Sequence, residues 1–133
     1  IALELLRTGR TINAGVAQEI GWAMNLGSGD PMVSARLFLL AHLREPCPEI
    51  KPINPNPMEV PDSTPIVDIG LHSLAIDAIL VCVVREGLDL PLSTGLQLEA
   101  NGFGRCFSTQ DMRIGLRNFM DNGPKVPAVF MNA

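Results

Sequence analysis

The sequence predicts a mainly α-helical chain with a proline-rich, extended segment in its middle. Three observations carry that expectation. Apolar residues recur at three- and four-residue spacing on both sides of the middle. Capping and stop residues bracket the periodic stretches. Seven prolines (46, 48, 52, 55, 57, 61 and 65) crowd between Arg44 and Pro65, where they remove backbone donors and bias the residues before them away from helix.

The elements follow in order. Ala2 to Leu6 reads as the end of a helix closed by the turn Arg7-Thr8-Gly9-Arg10. Asn13 caps a second helix from Ala14 to about Ala23, with Ala17, Ile20 and Met24 at helical spacing. Asn25 to Gly29 is a loop. Asp30 caps a third helix that has Pro31 at its first position, where a missing N–H costs nothing, and that runs to about Leu43. The proline-rich segment reads as a strap over the surface, as a loop that covers a site or binds a partner, or as a divider between two subdomains. Ile69 to Glu86 is the strongest helical pattern, with Asp68 or Ser73 as its cap and Gly87 as its close. It is apolar nearly all round (Leu74, Ile76, Ile79, Leu80, Val83, Val84) and should be central and buried. Pro91 opens the next helix, with Leu92, Leu96 and Phe103 inward. Ser108-Thr109-Gln110-Asp111 resembles a capping box with Asp in the acidic place. The last helix sets Met112, Leu116, Phe119 and Met120 on one face and stops at Asn122-Gly123-Pro124. The tail from Lys125 is apolar enough to dock, through Val126, Val129, Phe130 and Met131. Three segments result: 1–43, 44–65 and 66–133.

Composition narrows the function classes. With 47% hydrophobic and 18% charged residues, the chain is globular rather than unfolded. A net charge of −4, with ten Lys and Arg in all, argues against a phosphate-backbone partner, so no nucleic acid is expected. The longest apolar stretch, Ile76 to Val84, is too short to span a bilayer and contains Asp77. No membrane partner and no secretory leader are expected. Cys47, Cys82 and Cys106 are odd in number and not at metal-ligand spacing, which fits a reducing, cytoplasmic setting; Cys82 reads as a small core residue and no metal site is expected. The first residues are already amphipathic with no cap ahead of them, which suggests a fragment boundary at residue 1.

Two segments resemble the crotonase (enoyl-CoA hydratase/isomerase) superfamily. The first is Glu4-Leu5-Leu6-Arg7-Thr8-Gly9-Arg10-Thr11-Ile12-Asn13-Ala14, continuing to Ala17 and Gly21. It is similar to that family's Leu, Thr-Gly, Ala-x-x-Ala-x-x-x-Gly pattern. The second comprises Gly95-Leu96, Glu99-Ala100, Phe103, Thr109, Asp111, Gly115 and Phe119, and resembles the family's C-terminal helices. Together they span about half of the residues. The chain departs from the pattern at Trp22-Ala23-Met24-Asn25, where a Leu-Val strand usually stands, and at Ile114, where many members carry Glu.

The resemblance implies the helical C-terminal portion of a crotonase-like α/β (ββα-spiral) fold. It further implies a homo-oligomer, a trimer or a dimer of trimers, acting on acyl-CoA thioesters. In such enzymes two backbone N–H groups hold the thioester enolate and Glu or Asp residues move the protons. Those elements lie in an N-terminal core upstream of the first motif, so no catalytic residue is expected in this chain, and no cofactor beyond the coenzyme A of the substrate. The helical part would cover the site and build oligomer contacts. An aromatic and basic pair near the C-terminus often helps to hold coenzyme A. Phe130 stands near the matching place. The usual basic position three residues on is Ala133, leaving Lys125 as a substitute.

Other residues are weighed on their own chemistry. Glu99 and Asp111 are the obvious acids, and both read as structural. Asp77, inside an apolar helix, needs a partner, for which Arg85 or another basic group is a candidate. His42 and His72 have neither a paired nucleophile nor ligand spacing. Arg10 could approach a phosphate, or form an ion pair at a helix terminus. Gly102-x-Gly104 follows no strand and is not a phosphate loop. Besides the enzyme-fragment reading, two others stand: a stand-alone helical binding or assembly module, recognisable by an exposed apolar docking face, and a complete small enzyme using Asp77 or Glu99.

Overall fold

A computed structural model describes residues 1–23, 29–43 and 52–131. The chain is mainly α-helical: six helices and no strand occur among the described residues. They are α1 (Ala2–Thr8), α2 (Ala14–Glu19), α3 (Pro31–Ala41), α4 (Leu74–Leu88), α5 (Leu92–Phe107) and α6 (Gln110–Asn122). Two compact units form. One joins Ile1–Gly9 to Asn54–Ala133, and the other is Arg10–Ile53. The sequence segment 1–43 thus contributes α1 to the first unit and α2 and α3 to the second. The 25–28 part of the loop expected at Asn25–Gly29, the 44–51 part of the proline-rich segment with Cys47, and Ala133 lie outside the described residues.

In the second unit the caps act as expected. The Asn13 side chain accepts from the Val16 N–H, and the Asp30 side chain from the Met32 N–H, with Pro31 in the first turn. α2 is shorter than the periodicity suggested. It ends at Glu19, and Gly21 takes a left-handed φ of 79°, which turns the chain away before Ala23. α3 likewise ends at Ala41, short of Leu43.

In the first unit, α1 ends at Gly9, whose φ of 59° and N–H bond to the Leu5 carbonyl close the helix. α4 begins at Ser73, whose Oγ accepts from the Ile76 N–H. The other candidate cap, Asp68, instead accepts from the Gly70 N–H and shapes the turn before the helix. Gly87 does not close α4. The helix continues to Leu88. The packing contact belongs to Gly95 on α5, where a Cβ would stand 3.2 Å from the Gly87 carbonyl oxygen, whereas a Cβ at Gly87 itself would meet open space. About one turn further along α4 in the same antiparallel pair, Gly102 abuts Val83. Glycines at both contacts let the two backbones approach closely.

The proline-rich strap joins this pair at its turn. The Pro55 carbonyl accepts from the Leu92 N–H at 2.9 Å, and the Met58 N–H donates to the Leu88 carbonyl at 2.7 Å. These partners are orphan groups at the end of α4 and the start of α5, which no intrahelical bond can satisfy. Further along, Thr64 bonds Arg85 and the Pro65 carbonyl accepts from Arg7. The described part of the segment runs along this pair and reaches α1, and its Asn54, Asn56 and Met58 also line a hollow beside the α4–α5 turn.

The N-terminus of α6 is held by a buried network. Thr109, not Ser108, is the cap, accepting from the Met112 N–H. Asp111 is therefore not the acid of a capping box. Its carboxylate is fully buried, accepts from the Ser73 hydroxyl at 2.6 Å, and accepts from the Met131 N–H at 2.9 Å. The tail after Gly123 docks as expected: Asn118 donates to the Val126 carbonyl, and the Phe130 ring lies over Gly115.

Burial departs most from expectation. Leu5 is the one buried large apolar side chain among the described residues. α4 is central, touching α1, α5 and α6, yet none of its residues is buried. Leu96 and Phe103, expected inward, are 55% and 61% exposed, and Leu116 and Phe119 are exposed too. Their periodicity marks an apolar face that no described element covers.

Two stability predictions follow from these contacts. Gly102→Ala drives a Cβ to 2.3 Å from a Val83 methyl, and Val83 has little χ1 freedom in a helix, so a loss of about 1–3 kcal/mol is expected. Gly104→Ala meets open space and should stabilise by up to about 1 kcal/mol. Urea midpoints of the two variants should move in opposite directions. Ser73→Ala removes both a helix cap and a donor to buried Asp111, and should lower stability by about 1–3 kcal/mol on the same assay.

Candidate functional site

The exposed faces of α4 and α5 form an apolar groove. One hollow of about 500 Å³ is lined by Ile76, Ile79, Leu80, Val83, Leu96 and Phe103, with Glu99 and Cys106 among its further walls. A second, of about 380 Å³, continues it toward the α4–α5 turn and shares Leu80, Val83, Leu96 and Glu99. The periodicity that builds the two helices places these side chains on one side, and the glycine contacts bring the helices close enough to make a single surface.

Glu99 is the one carboxylate of this groove. It lies exposed on the rim, and neither hollow has a second acid to work with it. Proton transfer to a bound group requires a donor or acceptor within hydrogen-bond reach, and addition to a thioester requires aimed N–H donors as well. Helical backbone beside Glu99 has its N–H groups engaged in the helix. The groove is an apolar surface with one rim carboxylate.

The two other acids singled out in the sequence, Asp77 and Asp111, are committed elsewhere. Asp77 accepts from Arg7 through both oxygens, Nε to Oδ1 at 2.8 Å and Nη2 to Oδ2 at 2.9 Å. Its partner is thus Arg7 and not Arg85. The bidentate pair ties α1 to α4, and Asp77 holds the Arg7 guanidinium above its already high range. Asp111 is occupied by Ser73 and Met131.

The histidines are structural. His72 donates from Nε2 to the Thr8 carbonyl at 2.9 Å, and His42 from Nδ1 to the Phe38 carbonyl at 2.9 Å. Arg10 is exposed and engaged in an interaction of its own. Gly102 and Gly104 lie inside α5, as a packing contact and an open position. No group of three or more His, Cys, Asp or Glu suited to a metal ion occurs among the described residues. Phe130 is half-buried against Gly115, whereas Lys125 is exposed, five residues before it.

Cys82 is half-buried rather than a core residue. Its thiol donates to Glu86 Oε1 at 3.0 Å, and this bond, with burial, pushes the thiol above its ordinary range despite the opposing pull of Arg105. Cys106 is also a free thiol. Sequence reasoning missed the Arg7–Asp77 and Ser73–Asp111 pairs, which join residues 70 and 38 positions apart. The need of Asp77 for a basic partner was the only signal for either. No helix among the described residues is long and apolar enough to cross a membrane. No protein-family model matches the chain, and no solved structure matches it at a significant level.

Thiol reactivity offers a check on the Cys82 site. An ordinary thiol titrates near about 8.5, and only the thiolate alkylates. Because Glu86 raises the Cys82 value, Cys82 should be alkylated slowly at mildly alkaline pH, and its rate should climb only at higher pH. Glu86→Gln should move that rise to lower pH. An unchanged rate profile in the variant would show that the Glu86 bond does not control the thiol.

Proposed function

We propose that this chain is the helical lid and assembly portion of an acyl-CoA-processing enzyme resembling the enoyl-CoA hydratase/isomerase superfamily, and that it supplies no catalytic acid. The observation that carries the reading is the uncovered apolar face of α4 and α5, with Ile76, Ile79, Leu80, Val83, Leu96 and Phe103 along one groove. Monomeric soluble proteins rarely expose a contiguous patch of this kind. Such a face is what a lid segment presents to the catalytic core that it covers.

The placement of the acids supports the second half of the proposal. Asp77 and Asp111 hold the helices together, and Glu99 stands alone in an apolar rim. In the parent enzyme, water would add across, or the double bond would shift within, an enoyl thioester held by donors from another part of the protein. This part would exclude water from that reaction and join protomers into a trimer or dimer of trimers. Phe130, held against α6, would pack on coenzyme A, with Lys125 as the nearest basic residue in sequence. Free Cys82 and Cys106 suit a cytoplasmic setting.

The same uncovered groove favours one other reading: a helical assembly module with no catalysis of its own. The natural polypeptide separates the two. On the enzyme reading its mass is roughly twice the 14.3 kDa of this chain, a two-domain size, and it hydrates enoyl-CoA. Phe130→Ala in it should raise KM about tenfold and leave kcat unchanged. A polypeptide of 14.3 kDa without affinity for coenzyme A would leave the assembly module. Both readings require the isolated chain to self-associate at micromolar concentration, and Phe103→Glu should reduce that association. Sedimentation as a clean monomer would count against both.

A further inference from the structure

A third hollow, of about 750 Å³, lies along α6 and differs in character from the apolar groove. Its walls are Ser108, Gln110, Arg113, Ile114, Arg117, Asn118 and Asp121. Gln110, Arg113, Arg117 and Asp121 follow one another at helical spacing, so their side chains share a single stripe of the helix.

The two arginines are the noteworthy members. Like charges one turn apart weaken a helix slightly, and such a pair is ordinarily relieved by a carboxylate. No carboxylate among the described residues pairs with either one. The ion pair of this unit is Arg7 with Asp77, and Asp121, one turn beyond Arg117, is not within ion-pair distance of it. The other arginines of the unit have partners: Arg7 has Asp77 and Pro65, Arg85 has Thr64, and Arg105 acts on Cys82. In a chain of net charge −4, two adjacent guanidinium groups open to one hollow are a local reversal of sign.

The remaining walls define the chemistry. The Ser108 hydroxyl donates to the Arg105 carbonyl, and the Asn118 amide donates to the Val126 carbonyl. With the Ser108 hydroxyl and one Asn118 N–H engaged, the charged donors toward the hollow come from Arg113 and Arg117, beside the Gln110 amide. Asp121 repels an anion from the far end and biases it toward Gln110. Planar guanidinium forks match the oxygens of a phosphate better than any other common anion.

We infer that Arg113 and Arg117 form a binding site for a phosphate-bearing anion of the diphosphate or phosphate-ester class. The inference rests on α6 and not on the acyl-CoA reading, although the phosphates of coenzyme A are one source of that chemistry and free diphosphates are another.

Titration calorimetry of the full chain at low salt tests it, with pyrophosphate and coenzyme A as separate probes. Pyrophosphate should bind. Arg113→Gln and Arg117→Gln should each weaken binding about tenfold, with little effect on folding since Gln and Arg have similar helix propensity. Arg36→Gln, which makes the same charge change on α3, should leave binding unchanged. Added salt should weaken binding. Coenzyme A binding more tightly than pyrophosphate, and losing affinity in the same two variants, would support the site and name its source; equal binding would support it for free diphosphates. No binding of either probe, or an equal loss in Arg36→Gln, would overturn it. Neither negative result bears on the Phe130 test of the enzyme reading.

Discussion

The first unit depends on one buried carboxylate. Asp111 has no exposed surface, and an ionised carboxylate in that position is costly unless donors surround it. Ser73 donates from the start of α4, and the Met131 N–H donates from the tail. Three parts of the chain far apart in sequence thus meet at one group. Each hydrogen bond to a charged acceptor contributes about 1.5–3 kcal/mol. Ser73 has a double duty, since its oxygen also caps α4 by accepting from Ile76. Position at the first turn of α6 adds the favourable end of that helix's dipole. The arrangement fixes where α6 starts relative to α4, and where the tail runs, without any large apolar core.

The strap answers a different requirement. A helix hairpin as tight as α4–α5 leaves unpaired carbonyls at one end and unpaired N–H groups at the other. Its connection is only Asp89-Leu90-Pro91, and Pro91 offers no side-chain cap to α5. The strap supplies what the turn lacks, a carbonyl from Pro55 and an N–H from Met58. A segment rich in proline has few internal uses for its carbonyls, so it is well suited to serve as an acceptor for a neighbouring helix. Its stiffness also lowers the entropy lost on docking.

The sequence made the helices legible and left their relations mostly hidden. Caps at Asn13, Asp30 and Ser73, the proline at the head of α3, and the stop at Gly123 all rest on local chemistry within a few residues, and they hold. Gly87 misled because glycine after a helical run signals a stop, whereas here the helix runs one residue further, to Leu88, and is capped at Asp89. Asp111 misled because Thr and Asp near a helix start suggest a local cap, and its true partner, Ser73, is 38 residues away. Asp77 was half legible: burial in an apolar helix demands a cation, but nothing local distinguishes Arg7 from Arg85. In the candidate site the apolar stripes were visible as stripes. Their joining into one groove depends on the glycine contacts of α4 and α5, which no periodicity encodes.

That distinction bears on what an apolar pattern means. A helix with hydrophobic residues nearly all round must bury most of its surface, and the inference from α4 to a central, covered position follows from that requirement alone. Within this chain the requirement is met only in part: α1, α5 and α6 touch α4, and its groove side stays open. The pattern therefore records a demand for burial and not the identity of what satisfies it. Intramolecular packing, a second copy and another domain would all select the same residues at positions 76, 79, 80 and 83. What separates them is the polar complement. A surface that only assembles needs a satisfied interior and an apolar face. In this unit Asp77 and Asp111 hold the helices together, while the α4–α5 groove keeps an apolar lining with a single rim carboxylate.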